Sequence, residues 1–162
     1  MTVQISVIGG SAGKEPTLAI AEQIGYALAS AGAVTVTGGL GGVMAAACRG
    51  AKSAGGLTVG ILPGTDPAAA NEWVDVIIPS GLGEARNALV VGSAAAVIAV
   101  GGEYGTLSEI ALALRAGTPV IGVDTWRLIR PDGESDTKMI RVSDPREAVS
   151  EALRLASGRS RA

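Results

Sequence analysis

Histidine and phenylalanine are absent from this chain of 162 residues, and cysteine occurs once. Without histidine, neither a Ser-His-Asp nor a Cys-His nucleophile can be assembled, and a built-in zinc or iron site loses its commonest ligand. Cys48 has no internal partner for a disulfide, and its setting, MAAACRGA, is that of a buried structural thiol in an Ala-rich helix. Two Trp and two Tyr are too few rings for a base-stacking surface. The 13 Lys and Arg are scattered among 15 Asp and Glu, for a formal net charge of -2, so the basic stripe of a DNA or RNA binder is missing as well. The uncharged run Asn87 to Gly102 is shorter than the roughly 20 residues of a membrane span, and Gly92 and Ser93 interrupt it. MTVQISVIGG has no basic region before its apolar run and no cleavage-like site, so it reads as a first strand. The expectation is a cytoplasmic protein with no nucleic-acid or membrane partner and no built-in metal or cofactor.

What the chain has in abundance is small aliphatic residues and glycine: 48% hydrophobic residues and 24 Gly, a composition suited to helices packed tightly on a buried sheet. The length fits one domain, residues 1–157, with 158–162 as a frayed tail. Short β-branched runs alternate with Ala-rich runs from start to finish, the pattern of repeated β-α units. Strands are expected over 3–8, 33–37, 57–62, 74–77, 95–100 and 119–123. Helices are expected over 16–31, 42–54, 83–91, 106–116 and 144–157, the first bounded by Pro16 and Gly32. Residues 124 to 137, beginning DTWRLIRPDGESD, read as a surface connection or hairpin. The fold class is therefore α/β: a single Rossmann-like domain, a mostly parallel sheet with helices on both faces.

Three expected strands run into glycine-rich turns: IGGSAG at 8–13, TGGLGGVM at 37–44 and VGGEYGT at 100–106. In an open parallel sheet such turns share the carboxyl edge, where helix N-termini present free N–H groups to anions. Glycine lets the backbone approach a ligand closely. One such turn is often geometry alone; three at one edge point to a nucleotide-type site. The dinucleotide fingerprint G-x-G-x-x-G is absent after the first strand, where Gly9, Gly10 and Gly13 have the wrong spacing, and GKE at 13–15 lacks the remainder of a P-loop.

TGGLGGVM resembles the G-G-x-x-G-x-M turn, and GGEYGTLSE the P-G-G-x-G-T-x-x-E motif, of the LOG family, the cytokinin-activating phosphoribohydrolases once mislabelled lysine decarboxylases. The resemblance covers about residues 3 to 123. The catalytic Arg and Glu of that family match Arg86, in GEARNALVV, and Glu109. The motif's Pro falls on Gly101, its second Gly on Glu103, and the Lys after the catalytic Arg on Asn87. A carboxylate at 103 repels an anion unless its side chain points away. ACRGAKSAGGLTVGILPG and NALVVGSAAAVIAVGGEYGTLSEIALAL are closer to the branch that includes molybdenum-cofactor carrier proteins, which bind a phosphorylated pterin. Pyridoxal chemistry would need a well-placed lysine, and of Lys14, Lys52 and Lys138 only Lys14 lies near the glycine edge.

The expected ligand site combines Gly9, Gly10, Ser11, Gly38, Gly39, Gly42, Met44, Asn87, Gly101, Gly102, Tyr104, Gly105 and Thr106 with Arg86 and Glu109. A phosphate would sit on the N–H groups at Gly105 and Thr106, and Glu109 would act on the sugar of a nucleoside monophosphate; a bound molybdopterin-type ligand is the other possibility. Three other readings stay open. Thr106 and Glu109 have the spacing of a capping box, Arg86 could be an exposed helix residue paired with Glu84 or another acid, and Tyr104 could simply pack at the helix start. Trp73 and Trp126, outside the motifs, read as core or interface residues. Helices as apolar as EIALALRAG, together with the family resemblance, imply a homodimer or larger assembly. Three functions follow: a carrier of a nucleotide or pterin, a hydrolase freeing a base from a nucleoside monophosphate, or an oligomeric scaffold whose glycine turns are structural only.

Overall fold

Apolar β-branched runs too short to be stable alone pair into one parallel sheet, and the helices between them cover both faces. A computed structural model describes residues 2–159. Among them lie seven strands: β1 Gln4–Gly9, β2 Val34–Thr37, β3 Thr58–Leu62, β4 Val76–Pro79, β5 Ala96–Val100, β6 Val120–Val123 and β7 Met139–Val142. The α-helices are α1 Thr17–Ser30, α2 Val43–Ser53, α3 Asn87–Gly92, α4 Tyr104–Arg115 and α5 Pro145–Arg159. No helix among the described residues is long and apolar enough to cross a membrane.

The strand order is β4-β3-β2-β1-β5-β6-β7, every pair parallel. The chain builds outward from β1 to one edge, returns through α3, and builds outward again from β5. β1 and β5 are thus neighbours whose following segments leave in opposite directions, which opens a crevice beyond their carboxyl ends. This topology places the site.

β5 is buried at every position, as a strand covered on both faces must be. One face packs Ile5, Val7, Ile98 and Val123 against α1, α2 and α5; the other packs Ile8, Val36, Val97 and Val120 against α3 and α4. The abundance of small residues has a specific use where α1 crosses α2. A Cβ on Gly25 would stand 1.9 Å from the Ala47 carbonyl oxygen, and one on Gly50 1.9 Å from that of Glu22. The two backbones touch, and only glycine at both points permits it.

Several element bounds differ from the sequence reading. β4 starts at Val76, two residues late, because Asn71 to Asp75 form a turn tied to β3: Asp75 Oδ2 accepts from the Thr58 N–H at 3.0 Å, and Thr58 Oγ1 donates to the Trp73 carbonyl at 2.7 Å. The helix expected over 83–91 is a 3-10 turn, Gly83–Arg86, followed by α3. Residues 124 to 137 form a hairpin, with Ile129 bridging Ser135, and it leads into β7, which the sequence reading lacked. α5 runs through Arg159, so two residues expected in the frayed tail are helical; 160–162 lie outside the described residues.

Candidate functional site

The crevice between the ends of β1 and β5 holds a cleft of about 150 Å³. Gly9, Gly10 and Ser11 from the β1 turn, Leu40 and Met44 from the entry to α2, Glu84, Arg86 and Asn87 from the start of α3, and Glu103, Gly105, Thr106 and Glu109 from α4 line it. Segments as far apart in the chain as Gly9 and Glu109 meet here because the parallel sheet brings its carboxyl ends to one edge.

α4 begins earlier than the sequence suggests. Gly101 (φ 54°) and Gly102 (φ 107°) both take left-handed conformations that swing the chain straight into the helix, and a Cβ on Gly102 would stand 2.5 Å from the Thr106 side chain. Glu103 is consequently the N-cap, in extended conformation, and its side chain makes no capping bond. The Leu107 N–H donates to the Glu103 carbonyl at 3.0 Å, which leaves the N–H groups of Tyr104, Gly105 and Thr106 without intrahelical acceptors. Glu109 therefore lies more than one turn inside the helix, at the wrong position for a capping box with Thr106. That alternative reading is excluded.

Arg86 is not an exposed partner of Glu84. It is 6% exposed, its Nε and Nη1 are buried without an acceptor, and none of the ion pairs among the described residues includes it. Its guanidinium lies on the β2 turn, where a Cβ on Gly38 would stand 2.0 Å from Nη1. Glu109 is 7% exposed and lines the same cleft. Burial pushes its carboxyl up to about 7, against the opposing pull of the Arg86 charge and with a smaller push from Glu84. Burial likewise lowers the Arg86 guanidinium, opposed by Glu109 and Glu84. A buried cation with unused donors thus shares the cleft with a carboxyl poised near neutrality.

Of the residues the sequence pointed to, Gly9, Gly10, Ser11, Met44, Arg86, Asn87, Gly105, Thr106 and Glu109 are brought together around the cleft. Gly38, Gly39, Gly42, Gly101, Gly102 and Tyr104 do not line it. Gly38 seats Arg86; Gly39 (φ 75°) and Gly42 (φ 60°) shape the β2 turn, the latter against the backbone of Gly10 and Ser11. Tyr104 stands outside, its ring 5.7 Å from that of Trp126. Sequence reasoning missed Leu40, Glu84 as a lining residue, and Asn71, whose Nδ2 donates to the carbonyls of Gly39 (3.1 Å) and Leu40 (2.9 Å) and so holds the β2 turn. No motif marks Asn71. Glu103 lines the cleft, its Cγ 4.0 Å from where a Cβ on Gly10 would stand.

An open α/β sheet with a cleft at its switch point defines a class of Rossmann-like proteins. Within that class, the chain belongs to the SLOG cluster4 family, whose model matches residues 2–149. A protein of Archaeoglobus fulgidus is 48% identical over 118 residues, 73% of this chain and 78% of that one. The fold is similar to the molybdenum cofactor binding protein of the phototrophic bacterium Rippkaea orientalis, at TM-score 0.85 and 37% identity, covering 95% of this chain and 96% of that one. It is similar also to the molybdenum cofactor carrier protein MCP of Chlamydomonas reinhardtii, at TM-score 0.84 and 34% identity, covering 97% and 99%. The LOG-like resemblance and the nearness to the carrier branch, read from the glycine motifs, both hold.

Proposed function

We propose that the cleft binds the phosphoryl end of a nucleotide-like molecule or pterin cofactor, and that the protein carries that molecule without consuming it. The observation that supports this most directly is that Arg86, whose Nε and Nη1 are buried without a partner, lines the same cleft as the uncapped start of α4. Side-chain donors and helix N–H groups converging on one point are what a phosphate needs. The molybdenum-cofactor proteins among the structural neighbours make a molybdopterin-type ligand the leading candidate. Among the described residues no cluster of His, Cys, Asp or Glu is arranged to hold a metal ion, so a metal-bearing ligand would be gripped through its organic and phosphoryl parts.

Thermal unfolding with AMP, GMP and ribose 5-phosphate tests the reading, because a ligand that binds only the native state raises its stability by about 2.7 kcal/mol at a hundred times Kd. A rise with phosphorylated compounds, abolished in Arg86→Met, is expected. No rise with any of them would overturn the reading of the cleft as a general phosphoryl site. Self-association is part of the proposal: the edge strand β4 exposes Val76, Ile77 and Ile78, and light scattering should give at least a dimer.

A second reading, phosphoribohydrolysis, draws support from Glu109, whose carboxyl near 7 suits general-base work. Ionised Glu109 would take a proton from water as its oxygen bonds to the anomeric carbon. The N-glycosidic bond would break, its electron pair leaving with the base, which gains a proton, while Arg86 holds the phosphate or ribose. The products would be free base and ribose 5-phosphate. Chromatography for free base after incubation with AMP, in the native chain and in Glu109→Gln, separates hydrolase from carrier.

A further inference from the structure

The cleft's 150 Å³ is about half the lower end of the usual range for sites that enclose a whole small ligand. A phosphoryl group fits that volume, and the ring system of a nucleotide-like ligand would extend beyond it. Tyr104 lies next to the cleft in the chain, between Glu103 and Gly105, which both line it. It is 80% exposed.

Tyr104 is also held in place. Its ring meets that of Trp126 at 5.7 Å and a 39° tilt, within the range of favourable aromatic pairs. Trp126 packs partly on the α3/α4 core, and its indole Nε1 donates to the Glu103 carbonyl at 3.2 Å. Asp124 takes a left-handed conformation (φ 48°) that turns the chain back toward the β5 turn, and the Thr125 hydroxyl donates to the Gly101 carbonyl. From β7, Arg141 Nη1 donates to the Trp126 carbonyl at 2.5 Å. The segment after β6 thus clamps the phosphate-receptive turn and sets two rings beside it.

We infer that Tyr104, backed by Trp126, forms a stacking ledge for the planar heterocycle of the ligand whose phosphoryl group enters the cleft. The inference rests on the phosphoryl-binding reading and adds the subsite that distinguishes one phosphorylated compound from another. GMP serves as probe, since guanine shares the 2-amino-4-oxopyrimidine ring of a pterin; ribose 5-phosphate is the same ligand without the heterocycle.

Titration calorimetry of both compounds should show GMP bound about ten-fold more tightly by the native chain, as expected for one base on one aromatic face. That preference should fall to within about two-fold in Tyr104→Ala and return in Tyr104→Phe, with ribose 5-phosphate affinity unchanged throughout. Tyr104 is too exposed for its loss to unfold the chain. In a Trp73→Phe background, GMP should alter Trp126 emission and ribose 5-phosphate should not. A GMP preference that survives in Tyr104→Ala, or is lost instead in Leu40→Ala in the cleft lining, would overturn the ledge while leaving the phosphoryl site standing. Failure of both compounds to bind the native chain would remove the site and the ledge with it.

Discussion

Replacing Arg86 with methionine should make the protein more stable and unable to bind its ligand. A buried donor left without an acceptor costs about 1–3 kcal/mol, and more when charged. Arg86 has two such nitrogens and no ion pair to offset them beyond a diffuse attraction to Glu109 and Glu84. Methionine keeps most of the aliphatic stem and fills irregular space readily. Glu109 would lose the one charge that pulls its proton affinity down, so at neutral pH its carboxyl would be protonated and no new buried charge would appear. The net gain is about 1–3 kcal/mol, which for a domain of this size is an increase in Tm of about 3–9 °C. Calorimetry without ligand measures it, and repeating the scan with ribose 5-phosphate should show that the ligand-induced rise of the native chain is gone. A lower Tm for the variant would mean that Arg86 serves the fold. A higher Tm with the ligand response intact would mean that it does not serve binding.

Gly38→Ala should weaken ribose 5-phosphate binding about as much as Arg86→Met and destabilise the fold by about 1–3 kcal/mol. The added Cβ would meet the Arg86 guanidinium at 2.0 Å and Met44 Sδ at 2.7 Å, both on buried side chains; unchanged affinity would refute the placement of Arg86. Glu109 predicts a pH profile. Its carboxyl titrates near 4.5 in the unfolded chain and about 7 in the folded one, so its contribution is fully present below 4.5 and is lost as pH rises to about 7. The native chain should thus lose up to about 3 kcal/mol relative to Glu109→Gln across that window, in urea titrations at each pH; parallel profiles would show that Glu109 is not buried as described. Glu103→Gln should tighten ribose 5-phosphate binding about three-fold at low salt, an effect that shrinks as salt is added. A loss of affinity would show that Glu103 assists the ligand.

The elements legible in the sequence were those that depend on neighbours along the chain. Apolar β-branched runs bounded by Gly and Pro located β1, β2, β3, β5 and β6, and Pro16 and Gly32 bracketed α1. β7 was not legible, because four residues, MIRV, carry no period that distinguishes an edge strand from a loop. The start of α4 was misread because two left-handed glycines can be followed by a helix or a longer turn with equal ease, and packing against Thr106 selects the helix.

By itself, the sequence determined that a parallel sheet would form and that three glycine turns would end its strands at one edge, since strand propensity and glycine's conformational freedom are local properties. Only the tertiary structure decided what happens at that edge. Arg86 is stranded without a partner because Gly38 lies beneath it, Glu103 lines the cleft across from Gly10, and Tyr104 meets Trp126 only because β6 ends beside β5. Each of these contacts joins residues more than 20 positions apart, so its geometry and its electrostatics exist only once the sheet has brought the segments together.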